Sequence, residues 1–432
     1  MKDTNASANL SLPMQGGLEG LFFELLQVAI GNRKTLTRPL TDDEWASMYG
    51  ICEKHALLGI AFAGVEKLPK EQTPPFDVLA EWVHDAQVTK DGNELLTSCC
   101  LKVSEQFNKA GFCCCVLKGQ GNQNNYPENL RYCRTPGDID IWVKRRKNQS
   151  DKPKKIVWGS RKDTVAYVKQ RLRSSGKSDQ VEVVYHHIDM GEVDGVPVEV
   201  HFTPSWAYNP LFNRRIQKWY DDEFEKQCNN IGIGGFPSPT VSFNVIYQLM
   251  HIYRHLFIEG IGLRQLLDYY FVLRKFRDER LEVRRPPQSP CVGGKVSVEG
   301  LEVSGERIGS LSTGEGGGRG RVMNIIEHLG MKKFAGAVMW VQEEVFDMPA
   351  AYMLCPPNEK EGRHMLNEIM IAGNFGTYDN RIKASSADSR IGSLMRRHAQ
   401  TSRFFFSYPE EAICELPFRG WQYLWKLWNG YQ

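Results

Sequence analysis

Arg134-Thr135-Pro136-Gly137-Asp138-Ile139-Asp140-Ile141-Trp142-Val143 is the stretch that decides how this chain folds. A Pro-Gly turn leads into an alternating run, and alternation with period two is the mark of a strand. Residues i and i+2 of a strand point to one face, so Asp138 and Asp140 project together while Ile139 and Ile141 face a core. Two carboxylates that close repel each other unless something neutralises them. A divalent cation does this, and Mg²⁺ takes carboxylate together with substrate phosphate oxygens. The pair therefore points toward phosphoryl or nucleotidyl transfer. The competing reading is an ordinary Asp-x-Asp on a turn or exposed strand edge.

The surroundings sharpen the choice. Upstream, Cys113-Cys114-Cys115-Val116-Leu117 reads as a short buried strand that ends at Lys118-Gly119. Residues 120–126 suit a short helix, whose first N–H groups would favour an anion, with Lys118 adding a point charge. A loop with a solvated lysine is the alternative. Downstream, 181–185 reads as β, 191–195 as an Asp/Gly turn, and Val196-Pro197-Val198-Glu199-Val200-His201 as a second strand. There Val198 and Val200 share one face and Glu199 and His201 the other, which makes Glu199 either a solvent-facing residue or a third acid.

Taken together, these residues resemble the nucleotidyltransferase superfamily that includes DNA polymerase beta. More narrowly, they resemble its family of uncharacterised bacterial nucleotidyltransferases. The similar text is Leu117-Lys118-Gly119, Tyr126-Pro127, Arg134 with Asp138-Ile139-Asp140, Val198-Glu199-Val200-His201, His251-x-x-x-His255 and Gly262-Leu263-Arg264-Gln265-Leu266-Leu267-Asp268. It covers about residues 20–345 with a gap near 285–320, and Lys-Gly stands where many superfamily members carry Gly-Ser. The resemblance implies that Asp138, Asp140 and Glu199 hold two Mg²⁺ ions, and that Glu199 helps deprotonate an attacking hydroxyl. It also implies that Lys118, Gly119 and Gln120 contact a nucleoside triphosphate. Arg134 would pair with phosphate, with the carboxylates, or in a structural salt bridge. His201 would orient Glu199 or be a hydrogen-bonded strand histidine.

His251 and His255 lie four apart on one helical face. They either pack between regions or line the cleft. No His-Glu-x-x-His pattern is present, so this is not the zinc-protease arrangement. Arg264 and Asp268, also four apart, are expected to form a helical ion pair, the alternative being that one of them faces the substrate.

Composition sets the bounds. The chain has 432 residues, 41% hydrophobic and 24% charged, which suits two or three globular regions. A net charge of +3 is too weak to argue for a nucleic-acid partner, so a template-directed role is not expected. A local basic run, Lys144-Arg145-Arg146-Lys147 with Lys152, Lys154, Lys155, Arg161 and Lys162, reads as a solvated loop or as a surface for an anionic co-substrate. Eleven cysteines without a Cys-x-x-Cys pair fit reduced thiols in a cytoplasmic protein. The apolar run 21–30 contains Glu24 and Gln27 and is too short to span a membrane.

The expected fold is α+β, a small mixed β-sheet core flanked by helical regions on both sides in sequence. Its parts are a disordered 1–17, a helical 18–110, the core 111–205, a helical 206–284, a Gly/Ser-rich linker or insertion 285–321 and a helical 322–432. Helices are expected over 21–30, 42–54, 76–85, 94–110, 241–257, 263–276, 322–329 and 333–345, with Asp163 capping another and Thr240 opening 241–257. The aromatic tail with Trp421, Tyr423, Trp425 and Trp428 is expected to pack on the body. The functional expectation is transfer of AMP from ATP to a hydroxyl of a small-molecule or protein acceptor. The alternatives are a degenerate nucleotide- or partner-binding protein and a different metal-dependent phosphotransferase or hydrolase.

Overall fold

The computed structural model describes residues 17–147, 157–178, 180–284, 318–379, 381 and 390–431. The expectations made for 1–16, for Lys152, Lys154 and Lys155, and for 285–317 lie outside the described residues.

The chain opens with helices α1 (Leu18–Ile30), α2 (Asp42–Lys54), α3 (Leu58–Val65) and α4 (Phe76–Lys109). Thr41 caps α2 through a reciprocal box with Glu44, which satisfies two end N–H groups at once. Residues 76–85 and 94–110, expected as two helices, are one continuous helix: no proline lies between them, and Asn93, a cap-type residue, donates back to the Thr89 carbonyl instead of ending the helix.

Strands β1 (Phe112–Val116), β2 (Ile139–Lys147) and β3 (Val157–Trp158) precede helix α5 (Arg161–Ser174). The cap of α5 is Ser160, with Asp163 its box partner three residues on, so the expectation of Asp163 as cap shifts by one half of the same motif. Strands β4 (His187–Val193) and β5 (Val196–His201) form the hairpin. Its turn is Asp194-Gly195, both at positive φ, as a tight hairpin turn requires. The β run expected at 181–185 contributes just one bridge, Val183 to Ile188, and the strand proper begins at His187.

The sheet order is β1-β2-β5-β4, with β2 and β5 parallel and the other two pairings antiparallel, while β3 pairs β2 off this path. Ile139, Ile141, Val143, Val198 and Val200 fill one face, against Leu96, Val103 and Phe107 of α4 and Val165 and Val168 of α5. The opposite face carries Asp140 and Trp142, in register with Glu199 and His201.

Helices α6 (Pro210–Cys228) and α7 (Val241–Ile258) cover that opposite face, and α8 (Leu263–Arg284) packs against α7. The Thr240 hydroxyl accepts from the Phe243 N–H and opens α7 as expected. Phe243 stacks on Trp142 with ring centroids 5.9 Å apart, and Phe224 of α6 meets the same indole edge-on. Together these rings seat α6 and α7 on the sheet.

The remaining helices are α9 (Gly318–His328), α10 (Lys332–Phe346), α11 (Glu359–Ala372), α12 (Arg390–Arg403) and α13 (Pro409–Asn429). α9 starts inside the segment expected as linker, because Arg319 donates to the Leu354 carbonyl and pins an extra turn before buried Val322. The aromatic tail packs less than expected: Phe418 is buried on α13, whereas Tyr423, Leu424 and Trp428 stay exposed. Arg161, expected in a solvated stretch, lies over the rings of Tyr185, Phe202 and Trp425. One apolar core joins α1–α3 with the helices from α6 onward. No helix among the described residues is long and apolar enough to cross a membrane.

Candidate active site

Parallel pairing of β2 with β5 sets Asp140 directly beside Glu199, with Asp138 just ahead of β2. Asp140 is fully buried. Two cations built into the chain face it. Lys118 Nζ lies 2.9 Å from Asp140 Oδ2 and 3.9 Å from Asp138 Oδ2. His201 Nε2 lies 2.7 Å from Asp140 Oδ1 and 3.3 Å from Glu199 Oε2. Burial pulls the imidazole of His201 down, but Asp140 and Glu199 outweigh it and push it up to about 9. Burial likewise raises Glu199, and His201, His187 and Lys118 reverse this and hold it near 2. Burial also opposes ionised Asp140, yet Lys118 and His201 keep it below the ordinary carboxylate value. The site thus carries three acidic side chains against one ammonium and one imidazole.

Lys118 follows β1 and precedes a 3₁₀ segment, Gly119–Asn125, where residues 120–126 were expected to form a short helix. The tighter turn arises from packing: a Cβ on Gly121 would lie 2.2 Å from the Val116 carbonyl oxygen. Gln120 is buried and donates to Asn93 Oδ1 of α4, and Asn93 in turn donates to the carbonyls of Tyr132 and Arg134. This network braces the loop that delivers Asp138.

Arg134 makes a buried two-point pair with Asp268 of α8, Nε to Oδ1 at 2.8 Å and Nη2 to Oδ2 at 2.9 Å. Tyr126 donates its hydroxyl to the same carboxylate at 2.7 Å. The expected pair of Arg264 with Asp268 is replaced, since Asp268 turns to Arg134 and Arg264 donates to the Thr135 carbonyl at 3.1 Å. Burial lowers Arg264 to about 10.

The acids sit where two cavities meet, since Lys118 and Asp138 line both. The smaller, about 30 Å³, is lined by Gly119, Arg134, His251 and Arg264. The larger, about 410 Å³, opens on the Glu199 side and is lined by His187, Arg254, His255, Trp206 and Arg419. His251 and His255 therefore look into different cavities, their rings 4.3 Å apart.

Several neighbours of the acids were not singled out from sequence. His187 Nδ1 is 3.2 Å from Glu199 Oε2, and His186 Nε2 is 3.1 Å from His187 Nδ1. Arg254 reaches His186 Nε2 at 3.0 Å and His255 Nε2 at 2.9 Å. Burial lowers His187 to about 4. The adjacent pair His186-His187 at the head of the hairpin was the available signal. The C-terminal helices add Arg397, Arg419 and Phe375 to the larger cavity, and no local pattern marks these.

The donor set suits a divalent ion. Asp140 Oδ2 is buried and accepts no hydrogen bond of proper angle, although Lys118 stands near it. Asp138 and Asp140 offer hard oxygens of the kind Mg²⁺ prefers. Donor atoms of Asp140, Glu199 and His201 lie within 4.8 Å of one another.

No curated protein and no solved structure gives a significant match to this chain. A family model described as an uncharacterised nucleotidyltransferase matches residues 41–283, which hold Lys118, Asp138, Asp140, Glu199 and the histidines around them. With more than half of its length matched, and with the mixed sheet and clustered carboxylates in place, the chain belongs to this family of uncharacterised nucleotidyltransferases.

Proposed function

We propose that this protein transfers a nucleoside monophosphate, with ATP as the donor to test first, to a hydroxyl of a small-molecule or protein acceptor and releases pyrophosphate. The observation that carries this reading is the register of β2 against β5, which sets Asp140 beside Glu199 with Asp138 two residues ahead. In the reaction the acceptor oxygen bonds to the α-phosphorus, the bond from that phosphorus to the bridging oxygen of pyrophosphate breaks, and the hydroxyl proton leaves to a carboxylate.

Asp138, Asp140 and Glu199 would hold two divalent ions, Mg²⁺ in the first instance, which when bound stabilise charge on the attacking and leaving oxygens. The smaller cavity, with Lys118, Gly119 and Arg264, faces the triphosphate in this reading. Arg134, engaged with Asp268, positions the loop of Asp138. The larger cavity, beside Glu199, takes the acceptor, so Glu199 receives its proton. His201 orients Glu199 and Asp140.

A second reading has its own observation. Lys118 and His201 already neutralise the buried acids, as they would in a binding protein of the same fold that no longer uses metal. Calorimetry with Mg²⁺ and ATP, GTP, CTP or UTP separates the two. Metal-dependent binding of one triphosphate, lost in Asp138→Ala/Asp140→Ala, supports transfer and names the donor for an acceptor screen read by pyrophosphate release. A well-folded wild type that binds none of the four moves the conclusion to the second reading.

A further inference from the structure

Arg254 of α7 is a cation without an acid of its own. Its Nη1 lies 3.0 Å from His186 Nε2 and its Nη2 2.9 Å from His255 Nε2, which engages two of its five N–H groups. Its Nε is buried and has no hydrogen-bond partner among the described residues. Among the described residues no carboxylate forms an ion pair with this guanidinium. Burial pulls both histidines below their ordinary value, so they hold the guanidinium as neutral rings. Glu259 lines the same cavity and feels the charge, but its carboxylate pairs with His255 Nδ1, at 3.5 Å. Arg419, also on this cavity, shows the contrast: it has Glu415 at 2.9 Å and the Tyr208 hydroxyl at 3.0 Å.

Taking a guanidinium out of water costs free energy that a bound opposite charge offsets and two neutral imidazoles offset only in part. An oxyanion completes such a group, because two parallel N–H donors match two oxygens of a phosphate or a carboxylate. The position of Arg254 ties it to the acids. Glu199 Oε2 lies 3.2 Å from His187 Nδ1, that atom 3.1 Å from His186 Nε2, and that one 3.0 Å from Arg254 Nη1. Carboxylate and guanidinium therefore stand within the span of one small molecule, and both line the cavity of about 410 Å³. Trp206, whose ring lies 5.8 Å from the guanidinium, and Phe375 give that cavity apolar wall as well.

We propose that the acceptor carries an oxyanion, a phosphate or a carboxylate, in addition to the hydroxyl that reacts, and that Arg254 binds this group while Glu199 faces the hydroxyl. The proposal rests on the acceptor role given above to the larger cavity, and it goes beyond it by naming the class of compound the cavity selects. A neutral polyol would leave the guanidinium as it is, whereas an anionic one supplies the missing charge.

The test uses the full chain, stripped with chelator so that no metal ion captures the anion. Calorimetry with inorganic phosphate and with acetate is expected to show binding of at least one, weakened at least about tenfold in Arg254→Met. Binding of phosphate alone assigns a phosphorylated acceptor, and of acetate alone a carboxylated one. Binding of neither, or binding that Arg254→Met leaves unchanged, overturns the proposal. If Arg254→Met does not fold, crystals of wild type soaked in phosphate or acetate decide. The anion seated on Arg254 supports the proposal, and an anion elsewhere, or none, refutes it. Binding of ATP with Mg²⁺ is measured alongside on both proteins. If it falls in Arg254→Met as far as anion binding does, the arginine serves the donor and the proposal fails. A wild type that binds no ATP but binds the anion through Arg254 removes the transferase reading alone, and ATP binding without an anion on Arg254 removes the oxyanion site alone.

Discussion

Asp268→Ala should be among the most damaging single changes outside the three acids, and the structure supplies the size. Asp268 is 2% exposed and Arg134 7%. The carboxylate accepts from Arg134 Nε, Arg134 Nη2 and the Tyr126 hydroxyl, at 2.8, 2.9 and 2.7 Å. Removing it strands a buried guanidinium, a class of change that costs about 3–5 kcal/mol. Replacing both partners by apolar residues of similar volume is often neutral, because the desolvation cost of two charges disappears with their attraction. Arg134→Met/Asp268→Leu should therefore lose less than Asp268→Ala and much less than the sum of its singles. Urea unfolding of the four proteins, followed by fluorescence and circular dichroism together, gives the cycle. A loss below about 1 kcal/mol for Asp268→Ala would refute the reasoning, as would a double variant at or beyond the sum of the singles. The same double variant also tests the alternative role of Arg134. If the arginine is a strut, the folded double variant still binds Mg²⁺ and triphosphate; if it holds phosphate, binding falls while the fold survives.

Three more predictions follow from single positions. Gly121→Ala should cost about 2–3 kcal/mol, since its new Cβ would meet the Val116 carbonyl oxygen at 2.2 Å; an unchanged melting temperature would count against the tight 3₁₀ turn. Lys118→Met should destabilise the metal-free protein by about 3 kcal/mol by leaving Asp140 short of a counter-charge, and Mg²⁺ should restore much of it; a loss that Mg²⁺ does not relieve would show that the lysine does not stand in for a cation. Burial raises Glu411 of α13 to about 7, although it accepts from the Tyr208 and Asn209 N–H groups. The folded chain then holds this proton after the unfolded chain has lost it, so stability falls as pH rises from the ordinary value of 4.5 to about 7, by about 3 kcal/mol in all. Glu411→Gln should flatten that slope in unfolding measured from pH 4.5 to 8; an unchanged slope would place the titration elsewhere.

Local patterns carried much of this. The alternation around Asp138 and Asp140 placed Ile139 and Ile141 in a core and Asp140 on the opposite face, as found. Likewise Val198 and Val200 separated from Glu199 and His201, because side-chain direction in a strand has period two. α2 and α7 kept their expected starts, since Thr41 and Thr240 are end signals written beside the helices they open. Where local rules compete, they misled. Arg264 and Asp268 sit at ideal helical spacing, but a buried two-point pair with Arg134, 134 positions earlier in the chain, outcompetes an exposed-type pair. The break expected inside α4 did not form, because Asn93 turns its side-chain amide to the Thr89, Tyr132 and Arg134 carbonyls rather than to a helix end.

Residue pattern alone sets the chemistry on offer: two acids on strands and a third just ahead of β2, a lysine after β1, histidines on β5 and α7, and an apolar pattern able to bury the sheet. Which of these meet was decided by tertiary structure. Asp140 and Glu199 become neighbours through a parallel pairing between strands some 60 residues apart, and one residue of slip would turn Glu199 into the core. His187 reaches Glu199 across the hairpin, Arg254 arrives from α7, and Arg397 and Arg419 arrive from beyond the family-matched segment. Propensity and periodicity act over a few residues, whereas the convergence of charges depends on register and helix packing summed over the whole core. No short stretch of the chain encodes that sum.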